Sequence, residues 1–463
     1  MIHRLMGYLI AGAILISGPA ACTKKKTNTN TIMTHSNIDN GLEVVIHESH
    51  KVPLVTMVLA VKAGGRTETP ETNGVTHLWE HMFFKGNKTL PDQEAFNARI
   101  RELGIVYNGD TSAEKVRYYF TLPSAYLEEG LKFMIDAIST PLLEETELAK
   151  EINVVLNEYD RNASQPSFEL MRIKDQLIYK DKAYLRDALG NRDVIAAANR
   201  KMLLKMKNDV FVPSNSALLI SGDVDPEKTR ELVIKYFSSW ENPKNWKAPQ
   251  DNKFPDFPKT SKLIATHPQA GTPSISWTFH GPSTTKNPNA TYAADILVQL
   301  LRMKTGTFYK KFVDSGLTYA ASFGYYTQAQ AGEIDISASM PAKNIETVEK
   351  MFAEEIKAWA TDENYFSNEQ LEDAKRALVI SHTYEINEPS EYIKNLAFWW
   401  AVTGLDYYNG YIPNLHNVTG EDIRQFVKTY LLQKPYLSSI LITPDDAKTV
   451  GLKDNLETIK KKL

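Results

Sequence analysis

His77, Glu80 and His81 are the residues of this chain best placed to do chemistry. Positions i and i+4 of a helix share a face, so both imidazoles of His77-Leu78-Trp79-Glu80-His81 can reach one metal ion. Glu80 falls beside that stripe, three residues from His77, where a carboxylate can take a proton from a metal-polarised water. The order inverts the commoner His-Glu-x-x-His metal-binding helix while keeping its parts. Read alone, the motif also allows a structural His pair on a half-buried helix face.

Two histidines leave a catalytic metal short of a ligand, because such a site uses three protein ligands and one open position. The third must come from another element. Residues 144–161 have helical periodicity and carry Glu151 and Glu158, seven residues apart and therefore on one face. Between them Ile152, Val154, Val155 and Leu156 call for burial of this helix. Carboxylates bordering a buried face are costly unless paired or bound to metal. Solvated surface acids are the alternative reading of that pair.

These residues must be positioned by a fold. The chain has 463 residues, 43% hydrophobic and 24% charged, enough for two or three domains with cores of their own. Glycine-bounded, Val-rich runs at 42–47 and 54–63 predict strands, and 74–84 a helix carrying the motif. A second helix is expected over 92–103, with Asp92 as N-cap and Gly104 as stop. Strands near 105–108 and 115–122, helices over 126–138 and 144–161, a strand at 217–221 and a helix at 226–236 complete the first half. Pro243, Pro249, Pro255 and Pro258 then mark a stiff connection.

Beyond it the order of elements begins again. Strands are expected near 274–279, 318–326, 332–340 and 438–443, with helices near 289–301, 344–359, 368–384 and up to 431. This suggests a duplicated α+β unit, each a mostly antiparallel sheet with helices on one face. The expected division is 1–33 as leader and tether, 34–240 as first domain, 241–262 as linker and 263–463 as second domain.

The leader has its own signature. His3 and Arg4 precede an apolar run over 5–16, then Ser17, Gly18, Ala20 and Ala21, the pattern of a secretory signal too short for a comfortable membrane span. The only cysteine, Cys22, follows it and resembles the lipid-modified cysteine of bacterial lipoproteins, although Pro19 departs from the usual aliphatic residue. An exported, envelope-localised protein tethered by a lipid on Cys22 is the expectation, with ordinary cleavage as the alternative. The formal net charge of −3 and the absence of a basic stripe give no sign of a nucleic-acid partner.

Residues 76–86, THLWEHMFFKG, resemble the active-site helix of the pitrilysin/insulinase-type zinc peptidases, the inverted-motif zincins. In that family a Glu follows after a gap matching the 76 residues, 82–157, that separate His81 from Glu158 here. Residues 108–120 are similar to the family's substrate-binding edge strand, and 221–237, SGDVDPEKTRELVIKYF, to its first-domain closing segment. The likeness extends over 34–444, in the two-domain layout of processing-peptidase-like members that form half of a clamshell.

That resemblance implies an endopeptidase with one Zn²⁺ per chain held by His77, His81 and Glu158. Glu80 would be the general base, and Glu151 would assist from beside the metal ligands. It further implies that an extended peptide adds to a strand edge, matched at 115–121, with Asn108 among the substrate contacts. The family's second domain often presents an Arg and a Tyr seven residues apart. Here Tyr319 supplies the Tyr, but Phe312 stands at the Arg position and cannot donate a hydrogen bond.

A second peptidase-family subunit that brings the missing cation is therefore expected, with a homodimer using Lys311 as the alternative. A catalytically silent binding or assembly subunit is the competing class. A serine or cysteine hydrolase finds no support, since Cys22 lies in the leader and no Gly-x-Ser-x-Gly occurs.

Overall fold

The structure, a computed structural model, describes residues 33–180, 183–249, 259–330 and 332–463. The expected leader with Cys22, and part of the Pro-rich connection, lie outside the described residues. The described chain belongs to one compact unit.

The first half builds a six-stranded sheet from β1 (Met33–Asn37), β2 (Glu43–Glu48), β3 (Leu54–Val61), β4 (Val106–Thr111), β5 (Val116–Pro123) and β6 (Ser216–Gly222), in the order β1-β2-β6-β3-β5-β4. Only β2 and β6 run parallel. Strand β3 reads LVTMVLAV, apolar in both registers, so both of its faces need cover. Met57, Leu59 and Val61 meet helices α1 (Val75–Met82), α2 (Gln93–Leu103) and α3 (Leu127–Ser139) in one core. Helix α2 starts and stops as its punctuation demands: Asp92 accepts the Ala95 amide at 2.8 Å, and Gly104 ends it at φ 63.

The second half builds a five-stranded sheet from β7 (Ser261–Thr266), β8 (Ser274–Gly281), β9 (Ala320–Tyr326), β10 (Gly332–Ser339) and β11 (Leu437–Ile442), in the order β7-β11-β8-β10-β9. Trp277, Phe279, Ile334 and Ile336 pack against helices Pro288–Arg302 and Ile345–Thr361.

Helices of each half cover one face of its own sheet, and the other face is covered by a helix lent by the opposite half. Val58, Ala60, Ala217 and Leu219 receive Tyr392, Ile393, Leu396 and Trp400 of helix Pro389–Val402. Reciprocally, Leu170 and Ile173 of α5 (Phe168–Tyr179) pack on Leu263, Ala265 and Leu437. Helix α4 (Glu145–Ala163) precedes α5 and runs beside α1.

Candidate metal centre

Helix α1 buries Leu78, Trp79 and Met82 in the first core, which turns His77 and His81 toward α4. Helix α4 buries Leu148, Glu151, Val155 and Tyr159, and that face brings Glu158 to the same place. His77 Nε2 and His81 Nε2 each lie 3.8 Å from Glu158 Oε2. The two rings stand nearly perpendicular, at 84°, with centroids 4.9 Å apart. Ligand atoms of these three residues all fall within 4.8 Å of one another, the one such cluster among the described residues. At 3.8 Å the imidazole nitrogens do not hydrogen-bond the carboxylate. His77 Nδ1 is buried with no hydrogen-bond partner. Burial, with His81 adding to it, pulls His77 down to about 4, which keeps it neutral as a metal ligand must be. The donor set of two imidazoles and one carboxylate is that of a catalytic zinc, so the residues present fit the ion.

Glu151 is 5% exposed and touches the centre through His81: its Oε2 lies 3.1 Å from His81 Nδ1, and its Oε1 2.6 Å from Lys85 Nζ. Burial works against ionising Glu151, but the bonds to His81 and Lys85 outweigh it and hold the carboxyl below its usual range. Burial likewise opposes protonation of His81, yet the carboxylates of Glu151, Glu158 and Glu80 raise it.

Glu80 sits on the flank of α1 that faces β4. Thr111 donates to its Oε2 at 2.6 Å, and burial pushes its carboxyl up, against the pull of that hydrogen bond. Its other oxygen lies against Gly109, where any Cβ would stand 2.6 Å from Glu80 Oε1, so a larger residue here would push the carboxylate aside. These groups line a cleft of about 540 Å³ together with Phe84, Tyr107 and Asn108.

The strand order corrects one expectation. All of residues 115–121 but Lys115 belong to β5, which is paired on both sides by β3 and β4 and has no free edge. The open edge beside the cleft is β4, and it carries the exposed Asn108. Tyr319 is 67% exposed, next to β9 of the other sheet, and does not line the cleft. Phe312 is fully buried between Phe308 and Phe352, and Lys311 is paired with the buried Glu355.

Four participants went unnoticed in the sequence: Lys85, Gly109, Thr111 and Glu68. Glu68 accepts the backbone N–H groups of Gly74 at 2.9 Å and Thr76 at 2.7 Å, at the start of α1. Lys85 had a signal, lying four residues after His81 on the same helical stripe.

A family profile described as Insulinase (Peptidase family M16) matches residues 43–184, and one described as Peptidase M16 inactive domain matches residues 197–378. The chain belongs to the M16 peptidase family. An uncharacterized zinc protease of Rickettsia felis is 28% identical to this M16 chain over 204 residues, covering 44% of the chain and 49% of that protein. The chain therefore matches about half the length of curated relatives such as this one.

Two solved structures share the M16 chain's fold. A protease from Helicobacter pylori superposes with a TM-score of 0.80 at 21% identity, covering 89% of this chain and 99% of that one. The periplasmic protease PqqL from Escherichia coli gives 0.75 at 17% identity, covering 93% of this chain but only 50% of that one. This M16 chain has the architecture of half of that longer protease: two homologous α+β domains.

Proposed function

We propose that this M16 chain is a zinc-dependent endopeptidase that hydrolyses peptides or unfolded polypeptide segments. One observation carries the reading: two imidazoles, a carboxylate ligand and a buried carboxylate base converge in a cleft bordered by a free strand edge. His77, His81 and Glu158 would hold one Zn²⁺. When bound, the ion supplies Lewis acidity that polarises a scissile carbonyl and makes a water easier to deprotonate.

The chain's own groups do the rest. Glu80 takes the proton of the attacking water and passes it to the leaving amine. Thr111 holds one oxygen of that carboxylate, so the base keeps a fixed orientation. Glu151 keeps the His81 proton on Nδ1 and thereby leaves Nε2 free for the metal. An extended peptide adds to the open edge of β4, where Asn108 contacts it.

Tyr319 lies outside the cleft and Phe312 lies in the core. The groups that steady the developing oxyanion therefore come from a second peptidase-family subunit, and the relation to half of a longer protease supports that pairing. Export fits the periplasmic location in that protease's name, and a lipid on Cys22 would tether the exported chain. Among the described residues no helix is long and apolar enough to cross a membrane.

Metal analysis of the purified chain, followed by a peptide-library digest with and without chelator, tests this. About one zinc per chain and chelator-sensitive cleavage are expected. A metal-free chain with no peptidase activity, alone or with a co-purified partner, would sink it.

A further inference from the structure

Helix α1 is eight residues long and carries both imidazoles and the base. A helix leaves its first amides without intrahelical partners, so in so short a helix the cap decides much of the geometry. The residue at the cap, Gly74, has φ 105 and no side chain to offer. A Cβ there would come 2.8 Å from Ile195 Cγ1 and 3.2 Å from Gly190 Cα, so Ser, Asp or Asn cannot stand in its place.

The open amides are served from outside the helix. Glu68, 3% exposed, takes the Gly74 N–H on Oε2 at 2.9 Å and the Thr76 N–H on Oε1 at 2.7 Å. Asn73 Nδ2 donates to the same Oε2 at 3.0 Å. Two oxygens of one rigid carboxylate on two amides of the same turn fix its rotation as well as its position. Thr76 is the residue before His77, so that rotation sets where the imidazole points. A buried carboxylate is costly. Burial pushes the Glu68 carboxyl up to about 7, against the pull of the hydrogen bonds from Asn73, Thr76 and Gly74, which lie at the positive end of the helix dipole and favour the charged form.

We propose that Glu68 is a positioning residue for the metal centre, holding the first turn of α1 at the rotation that aims His77 Nε2 toward Glu158. The inference rests on the zinc reading for its consequence, but the helix-holding role can be measured without metal.

The test uses the whole chain as wild type, Glu68→Gln, which turns one acceptor into a donor facing donors, and Asn73→Ala, which removes one of the three N–H groups. Amide hydrogen exchange of the metal-free proteins, the visible spectrum after Co²⁺ loading and steady-state peptide kinetics are compared. Glu68→Gln is expected to speed exchange within α1, to shift the cobalt bands, and to lower kcat roughly tenfold to a hundredfold with KM within about twofold. Asn73→Ala gives the same changes in smaller measure. A folded Glu68→Gln with wild-type α1 exchange and a wild-type cobalt spectrum overturns the proposal. If Glu68→Gln does not fold, an Asn73→Ala chain unchanged in both readouts overturns it. A wild-type chain that takes up neither zinc nor cobalt overturns the zinc reading instead, while the exchange comparison still judges Glu68.

Discussion

His81 Nδ1 lies 3.1 Å from Glu151 Oε2, and that contact decides which nitrogen of His81 faces Glu158. A carboxylate on Nδ1 places the ring proton there and leaves the Nε2 lone pair toward the other ligands. Lys85, 2.6 Å from the second oxygen, keeps Glu151 charged in its buried setting. Glu151→Gln keeps the shape of the side chain but weakens the acceptor and loses the Lys85 pair. Zinc affinity, read by competition with a chromophoric chelator, should fall about 10–100-fold. Unchanged affinity would remove Glu151 from this role.

Glu80→Gln should separate binding from turnover. Gln retains the hydrogen bond from Thr111 but cannot accept a proton, and Glu80 contributes no atom to the ligand cluster. Zinc content should stay near one per chain while peptide cleavage falls about 10²–10⁴-fold. Thr111→Val, which only frees the carboxylate, should cost much less. Normal turnover by Glu80→Gln would rule out its assignment as the base.

Asp295 gives the fold a pH dependence unconnected with the metal. Burial pushes its carboxyl up to about 6, against the opposing pulls of the Tyr411 hydrogen bond and of Arg302. The folded state thus holds this proton more tightly than the unfolded chain does. The favourable contribution is complete below the ordinary Asp range and is lost as pH rises through about 6. Asp295→Asn still accepts from Tyr411, 2.7 Å away, and has nothing to ionise. At pH 8 it should be more stable than wild type by up to about 3 kcal/mol, seen as a higher melting temperature, and the gap should close toward pH 4. A gap that is constant with pH would show that Asp295 does not titrate in this window.

What the sequence made legible were features written in local patterns. The i, i+4 histidines, the Asp92 and Gly104 punctuation of α2 and the two Glu one heptad apart on α4 each depend on neighbours along the chain. Relationships that depend on strand order were not legible. The β5 run reads as a good strand, and nothing in it says that β4 takes the outer position. The cap of α1 was hidden for a related reason, since Gly74 holds no capping side chain and Glu68 reaches it from six residues upstream. At Phe312 the sequence showed only that a cation was missing. The structure adds that the ring fills the second core, so no surface position was left for one.

Helices α5 and Pro389–Val402 were the least legible elements, because their apolar faces serve the sheet of the other half. That exchange predicts a property of the whole chain. Leu396 is fully buried among Val58, Ala60 and Leu219, on the face of the first sheet opposite α1. Leu396→Ala leaves a cavity between the halves and should cost about 2–5 kcal/mol. Ile173→Ala on α5 opens the reciprocal contact on the second sheet and should cost a similar amount. Neither half can lose its partner's helix without baring a sheet face to water, so the two halves should unfold together. Calorimetry of both variants should show one transition moved to lower temperature. Two separated transitions in Leu396→Ala, one of them unmoved, would show that the halves are stable alone and that the exchanged helices only dock.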